Sequence, residues 1–441
     1  MESQKDIHRY TGRILQMTTH HHGHHHEDML SVEKARQQIL REFGPLEAET
    51  FPISDSVGLV IAENVRSEIS IPTLDNSAMD GYAVRSQDVT AASQDNTVNL
   101  EVIETIAAGS LPTKPIEPGK ASRIMTGAPI PDLADAVIPF EETTEEAFLG
   151  TADIKEIGIK MPASPGTNIR RKGKDIEKND LVIEKGHIIT PASVGVLASM
   201  GMSHVKTIRK PIISILSTGN ELLSPGEALS DGKIYDSNSS SIVASVMQLG
   251  GIPKYVGIAK DDMDSVRDKL AEAMDSDLII SSAGVSKGDY DMVKDVMSEH
   301  GDLQFWSVRM RPAKPLAFGI LNKSSHRPVP LIGLPGNPVS SLVAFEQFCR
   351  PAIQKMMGKT NLERPIIEAV LKDSIENYDG RRVYARVVVT KTDTGFVAET
   401  TGNQDSNILT SMLKANGLAI CPEDEQGKNP GDIVSVIMID D

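Results

Sequence analysis

From Pro211 to Gly358 the chain alternates short apolar runs with amphipathic segments, and this alternation limits the fold more than any other feature. PIISILST reads as a buried strand, and SNSSSIVASVMQL as a helix stopped by Gly250 and Gly251. KYVGIA, DDMDSVRDKLAEAM, DLIISS and DYDMVKDVMSEHG continue as strand, helix, strand and helix. PLAFGIL and VPLIGL are strands, and NPVSSLVAFEQFCRPAIQKMMG is a long helix. Strands separated by helices pack as a doubly wound, mostly parallel sheet. Ligands of such sheets lie outside the carboxyl ends of the strands, so the loops there carry the functional reading.

The flanking segments differ in pattern. Residues 1–29 are polar and contain HHHGHHH at His20–His26, which reads as a tag or low-complexity tail, with a metal-binding tract as the alternative. Ser31 is a plausible N-cap for a helix with Val32, Ala35, Ile39, Leu40 and Phe43 on one side, stopped by Gly44-Pro45. Pro72 to Thr144 holds short apolar runs broken by Gly, Pro, Asn and Asp, as in a β-rich unit. PASVGVLASMG, Pro191–Gly201, reads as a helix with Pro in its first turn. After Gly358, EAVLKDSI, RRVYARVVVTK, GFVAET and DIVSVIMI are strands split by turns, which predicts a small β-barrel or sandwich. The expected division is a tail at 1–29, a discontinuous dimerisation or linker domain at 30–71 and 161–210, and a β-rich insertion at 72–160. An α/β domain at 211–358 and a C-terminal β-barrel at 359–441 complete an α/β multidomain chain.

A net charge of −16 opposes general binding to nucleic acid, whose phosphates need a basic footprint. The chain has neither a stretch of 18 uninterrupted apolar residues nor a signal-peptide pattern, and its two cysteines form no disulfide framework. These features predict a cytoplasmic protein with no membrane or nucleic-acid partner.

Six loops follow strands or open helices in the α/β segment. In STGNELL, Thr218, Asn220 and Glu221 offer hard oxygen ligands suited to Mg²⁺, although a polar turn with satisfied side chains is the plainer reading of the loop by itself. In YDSNSSS, Asp236, Ser237 and Asn238 suit helix capping, and a helix start also attracts anions. In KDD, Asp261 and Asp262 fit the helix dipole; if Asp261 turns towards Glu221, the two acids form a divalent-metal site. SSAGVSKGDYD, Ser281–Asp291, supplies Ser282, Gly284, Ser286, Lys287 and Gly288 as a floor of small residues with one cation. VRMRPAKP puts Arg309, Arg311 and Lys314 close together in an acidic chain; a solvated patch is the plain reading, and an oxyanion or phosphate receptor is the functional one. In LPGNPVSS, Pro335, Gly336, Asn337, Pro338 and Ser340 form a strand, turn and helix start. Together the loops describe a pocket for a metal and an extended, nucleotide-like anion.

The ordered stretches DNSAMDGYAV, MTGAPIP, GTNIRRKGKDI, STGNELL, YDSNSSS, SSAGVSKGDYD, MRPAKP and LPGNPVSS resemble the molybdopterin molybdenumtransferase family, which includes the E domain of gephyrin. The resemblance runs from about Leu30 to Asp441. It implies an elongated homodimer in which the insertion domain of one subunit closes the cleft of the other. The implied reaction is Mg²⁺-dependent insertion of molybdenum from molybdate into adenylylated molybdopterin, with release of AMP. It also leaves room for contact with the upstream molybdopterin adenylyltransferase. Matched functional positions are Asp80, Thr126, Glu221, Asp261 and Asp291, with Arg170 and Asp175 of RRKGKD and the loop residues above as substrate contacts. Glu221 and Asp261 are the implied metal ligands.

The chain departs from the family pattern at Ala313, where PGKP is common, at Ala283, where glycine is common, and at Ser307, where many relatives carry a cation. A gephyrin-like scaffold without catalysis and another nucleotide-processing enzyme on the same α/β domain are the competing readings. The DGYA and MTGA stretches lie outside that domain and argue against the second.

Overall fold

The computed structural model describes residues 29–145, 154–282, 301–321 and 327–440. They divide into two compact units. One gathers the described residues up to Glu42, Ile212–Ala352 and Glu363 onward; the other comprises Phe43–Pro211 and Ile353–Leu362.

Helix α1 (Val32–Arg41) begins where expected, with the Ser31 hydroxyl accepting the Lys34 N–H at 3.2 Å, and it buries Val32, Ala35 and Ile39. In the second unit, β1 (Ala48–Pro52) pairs antiparallel with a later strand, and a five-stranded sheet forms the β-rich part. Its strands are β2 (Gly81–Val84), β3 (Val98–Ile106), β4 (Lys120–Ile124), β5 (Ala136–Pro139) and β6 (Glu156–Ile159), in the order β5-β2-β4-β3-β6. Tyr82, Val84, Leu100, Ile138, Ile157 and Ile159 bury its core. Helix α2 (Pro191–Ser199) carries a capping box between Thr190 and Ser193, and β7 (His204–Ile208) is the partner of β1.

In the first unit, β8 (Ile212–Thr218), α3 (Ser237–Leu249), β9 (Ile252–Ala259), α4 (Met263–Ala273) and β10 (Leu278–Ser282) follow the predicted alternation. The helix expected over DYDMVKDVMSEHG lies outside the described residues, except that Gly301 opens an unpredicted strand, β11 (Gly301–Ser307). After the short β12 (Met310–Arg311) come β13 (Pro315–Leu321) and β14 (Val329–Leu334). The sheet order is β9-β8-β10-β14-β13-β11. The first four strands are mutually parallel, β13 runs against them and β11 pairs antiparallel with β13, so the carboxyl ends of β8, β9, β10 and β14 share one edge. Leu216, Val256, Leu270, Ile279 and Leu331 form the core beneath that edge.

The expected long helix is α5 (Pro338–Ala344), a π-helical turn at Phe345–Cys349 and α6 (Arg350–Met356). The π turn precedes Pro351, whose ring and missing N–H disrupt regular α-helical bonding.

The C-terminal part is a closed barrel of β15 (Ile366–Leu371), β16 (Arg382–Thr392), β17 (Gly395–Thr400), β18 (Gly417–Cys421) and β19 (Ile433–Met438). Pairing runs β16-β17-β15-β19-β18 and back to β16. EAVLKDSI is broken into β15 and the short strand Ile375–Glu376. GLAIC, which the sequence reading passed over, supplies the closing strand β18.

Gly81 explains the fixed glycine of DGYA: a Cβ there would stand 2.0 Å from the Ile138 carbonyl oxygen. Gly81→Ala is expected to destabilise the protein by roughly 1–3 kcal/mol or more by overpacking against backbone. An unchanged thermal midpoint in the full chain would contradict this close approach.

Candidate functional site

The strand ends of the first unit and the barrel enclose a cavity of about 1180 Å³. This exceeds the usual range of roughly 300–1,000 Å³ for small-molecule sites and leaves room for an extended ligand. Its wall includes the predicted residues Glu221, Asp236, Ser237, Asn238, Ser282, Arg311, Lys314, Pro335, Gly336, Asn337, Pro338 and Ser340.

Hydrogen bonds between loops hold this wall together. Asn238 does not cap α3; its Nδ2 donates to Ser282 Oγ at 2.8 Å and to the Gly336 carbonyl at 2.7 Å, joining three loops. Asp236 is the cap, with Oδ1 accepting the Ser239 N–H at 3.0 Å. Its other oxygen, Oδ2, is buried and makes no hydrogen bond. Asn337 stands at the N-cap of α5 without a capping bond from its side chain, and Ser340 lies buried behind it.

Two acidic loops are clipped to each other. The Asn220 N–H donates to Asp261 Oδ2 at 3.0 Å, and the Asp261 N–H donates to Asn220 Oδ1 at 3.3 Å. Asp262 caps α4 by accepting the Ser265 N–H at 2.8 Å. Asp261 is therefore the acid of KDD that does not cap the helix, and Oδ2 of its carboxylate is held by Asn220, the neighbour of Glu221. Lys233 Nζ donates to the Asn220 carbonyl. Among the described residues no group of three or more His, Cys, Asp or Glu side chains forms a metal cage. Mg²⁺ commonly takes only one or two carboxylates and completes its shell with waters and substrate phosphates, so this sparse oxygen set fits that ion.

The basic loop is arranged unevenly. Arg311 donates to the Glu376 carbonyl, lies 3.8 Å from Asp379 and stacks 4.2 Å from the centre of the Tyr378 ring. Burial pushes the Asp379 carboxyl up, but hydrogen bonds from Arg381 and the charges of Arg381 and Arg311 hold it below its ordinary value. Asp379 is shared with Arg381, its closer partner, so the Arg311 charge is matched only in part, and its buried Nη1 makes no hydrogen bond. Lys314 is exposed on the cavity wall and makes no ion pair among the described residues. Arg309 does not line the cavity; its N–H donates to the Leu30 carbonyl at 2.8 Å.

The barrel supplies residues that the sequence reading did not single out, above all Arg386. It is 1% exposed, and burial pushes its pKa down to about 10. Nε donates to Ser411 Oγ at 3.1 Å and Nη2 to the Asp405 carbonyl at 3.2 Å. No carboxylate pairs with it among the described residues. The signal was an arginine inside the apolar run YARVVV, where a charge is costly unless it is used.

In the other unit, Asp80 and Thr126 meet: Asp80 Oδ1 accepts the Thr126 N–H at 2.6 Å and its hydroxyl at 2.8 Å. These two bonds, the N–H first, lower the Asp80 pKa. Asp75 accepts the Lys172 N–H at 2.7 Å and pairs with Arg171 at 2.6 Å. LDNSAMD is therefore tied at one end to RRKGKD and at the other to MTGA. Arg170 is exposed on a short strand paired with Asn76–Ser77, and Asp175 is exposed with its N–H on the Ile71 carbonyl. Gly284, Ser286, Lys287, Gly288 and Asp291 lie outside the described residues.

Residues 30–201 match the MoeA N-terminal region (domain I and II), 214–355 a probable molybdopterin binding domain, and 368–439 the MoeA C-terminal region (domain IV). The chain belongs to the MoeA family. It is 36% identical over 406 residues to Molybdopterin molybdenumtransferase 2 of Mycobacterium tuberculosis, covering 90% of this chain and 96% of the relative. The Haemophilus influenzae Molybdopterin molybdenumtransferase is 33% identical over 92% of this chain and 98% of its own length. A crystal structure of a molybdopterin biosynthesis MoeA protein from Pyrococcus horikoshii superposes with a TM-score of 0.79 at 31% identity, covering 94% of this chain and all of that one. Among the described residues no helix is long and apolar enough to cross a membrane.

Because its folded pKa is depressed, the Asp80 carboxylate stabilises the fold above the unfolded value of about 3.9, and this is lost as pH falls through the folded pKa. Asp80→Asn is expected to lower the melting temperature at pH 7, with the gap to wild type closing towards pH 3. A gap independent of pH would show that the charge is not what Thr126 holds.

Proposed function

We propose that the chain inserts molybdenum from molybdate into adenylylated molybdopterin, releasing AMP with Mg²⁺ as cofactor. The observation that carries this reading is one cavity lined by a helix start, by the carboxylates of Glu221 and Asp236, and by Lys314 and Arg386, two cations that make no ion pair among the described residues, in a member of the MoeA family. The phosphoanhydride P–O bond breaks as an oxygen from water joins the phosphorus, and two Mo–S bonds form to the dithiolene sulfurs as one Mo–O bond of molybdate breaks, that oxygen leaving as water with two protons while molybdenum stays at Mo(VI). Glu221 and Asp261 are the residues that would hold Mg²⁺, with Asp236 Oδ2 as a further hard oxygen. Mg²⁺ supplies Lewis-acid polarisation of the phosphoanhydride. Lys314, Ser340 and Arg386 form the oxyanion side, where a buried guanidinium and a lysine offset the charge of molybdate. Ser282, on the cavity wall, belongs to the pterin side in this reading, and Asp291 keeps the functional role that the family resemblance implies. Family membership supports a cytoplasmic homodimer, the five-part division of the chain set out above, and contact with the adenylyltransferase that supplies the substrate.

Purified protein given adenylylated molybdopterin, Mg²⁺ and molybdate is expected to release AMP and to yield material that activates an apo-molybdoenzyme. The absence of molybdate-dependent AMP release would overturn the reading. Asp261→Asn is expected to abolish turnover without changing the melting temperature; full activity would remove Asp261 from the metal site. Arg386→Gln is expected to raise the molybdate concentration for half-maximal rate roughly 10- to 150-fold, the loss of one charge-assisted bond. An unchanged molybdate dependence would take Arg386 out of the oxyanion side.

A further inference from the structure

The cavity walls carry two aromatic side chains among the described residues, Tyr235 and Tyr378. Tyr235 is tied down, its hydroxyl donating to the Glu227 carbonyl at 2.9 Å. Tyr378 lies on the barrel, just after the short strand Ile375–Glu376, and is 79% exposed. In a chain with only 4% aromatic residues, Tyr378 takes no part in the barrel core, and its ring is left accessible on the cavity wall. One face of its ring is taken by the Arg311 guanidinium at 4.2 Å. That guanidinium is itself held by the Glu376 carbonyl, at the end of the strand Ile375–Glu376, and lies 3.8 Å from Asp379, the residue after Tyr378. The ring is therefore braced on one side and open on the other.

We infer that Tyr378 is a stacking platform for a flat, fused nitrogen heterocycle of the substrate, with Arg311 bracing its far face. The inference rests on the function proposed above, whose substrate contains two such rings, the pterin and the adenine. Stacking requires a π-face at a fixed angle and no particular hydrogen-bond pattern, and an exposed tyrosine backed by a cation provides this. Tyr378 is in this sense a positioning residue: it orients a ring at the barrel wall while the charged groups receive phosphate and oxyanion. The same arrangement gives Arg311 its role, since the Glu376 carbonyl and the nearby Asp379 hold its planar face against the ring.

The test uses full-length wild type, Tyr378→Phe and Tyr378→Ala, titrated calorimetrically with AMP, with unsubstituted pterin and with ribose 5-phosphate. Tyr378→Ala is expected to weaken AMP or pterin about 5- to 150-fold, the ring affected identifying which one stacks. Tyr378→Phe is expected to bind like wild type, and ribose 5-phosphate, which lacks a ring, to bind all three proteins equally. Equal affinity of Tyr378→Ala and wild type for both rings would overturn the inference, as would a parallel loss for ribose 5-phosphate or no binding of either ring to wild type. Molybdate-dependent AMP release by wild type is measured alongside. Release with ring affinities insensitive to Tyr378 defeats the stacking alone, and Tyr378-dependent ring binding without release defeats the proposed reaction alone.

Discussion

The cavity depends on the Asn238 carboxamide. Its two N–H groups bind the Ser282 hydroxyl and the Gly336 carbonyl, and so lock the start of α3, the end of β10 and the turn after β14 at fixed separations. Each of those loops is short and polar and carries no core of its own. Without such a cross-link their side chains would converge only in part of the ensemble, and an anion would have to order them on binding at an entropic cost. The Asn220–Asp261 pair does the same for the two acidic loops, so the strand-end edge is already organised without ligand.

This pre-organisation matters because the chain is acidic overall while its proposed substrates are anions. Net repulsion is offset by keeping a few cations where solvent screens them least. Arg386 is the clearest case. Burial lowers its pKa yet leaves it charged at neutral pH, and it is satisfied by a hydroxyl and a carbonyl in place of a carboxylate. A carboxylate partner would have spent that charge internally, as Asp379 does for Arg381.

The alternation of strand and helix in the α/β segment was legible because each buried parallel strand is a continuous apolar run and each helix ends at a recognisable stop. β11 was not, because GDLQFWS is an edge strand mixing polar and apolar residues, and only its pairing with β13 gives it a sheet partner. β18 was hidden for another reason: GLAIC is too short to stand out, yet it alone closes the barrel by pairing on both sides. The cavity residues on loops could be read from their chemistry and order. The barrel residues could not, since Tyr378 and Arg386 become neighbours of the strand ends only once the closed barrel brings them there. Arg311 and Arg309 show the limit of counting charges: one shares Asp379 with Arg381 and the other lies away from the wall, so of three cations in six residues Lys314 is the one exposed on the wall with no ion pair among the described residues.

Ala313 shows how the chain tolerates a departure from the family's usual glycine. Its φ of 76° is in the left-handed region, where a Cβ costs roughly 1–2 kcal/mol. The methyl is 5% exposed, and burying such a group returns about 0.8 kcal/mol. Alanine also has fewer unfolded conformations to lose than glycine, which offsets a further part of the strain. The turn therefore keeps the shape that presents Lys314 to the cavity at little net cost, and it stiffens the segment linking β12, which pairs with the barrel, to β13 in the sheet. Substitution at this glycine position thus bears on how firmly the barrel's wall of the cavity is fixed to the strand ends, and much less on the chemistry of the pocket itself.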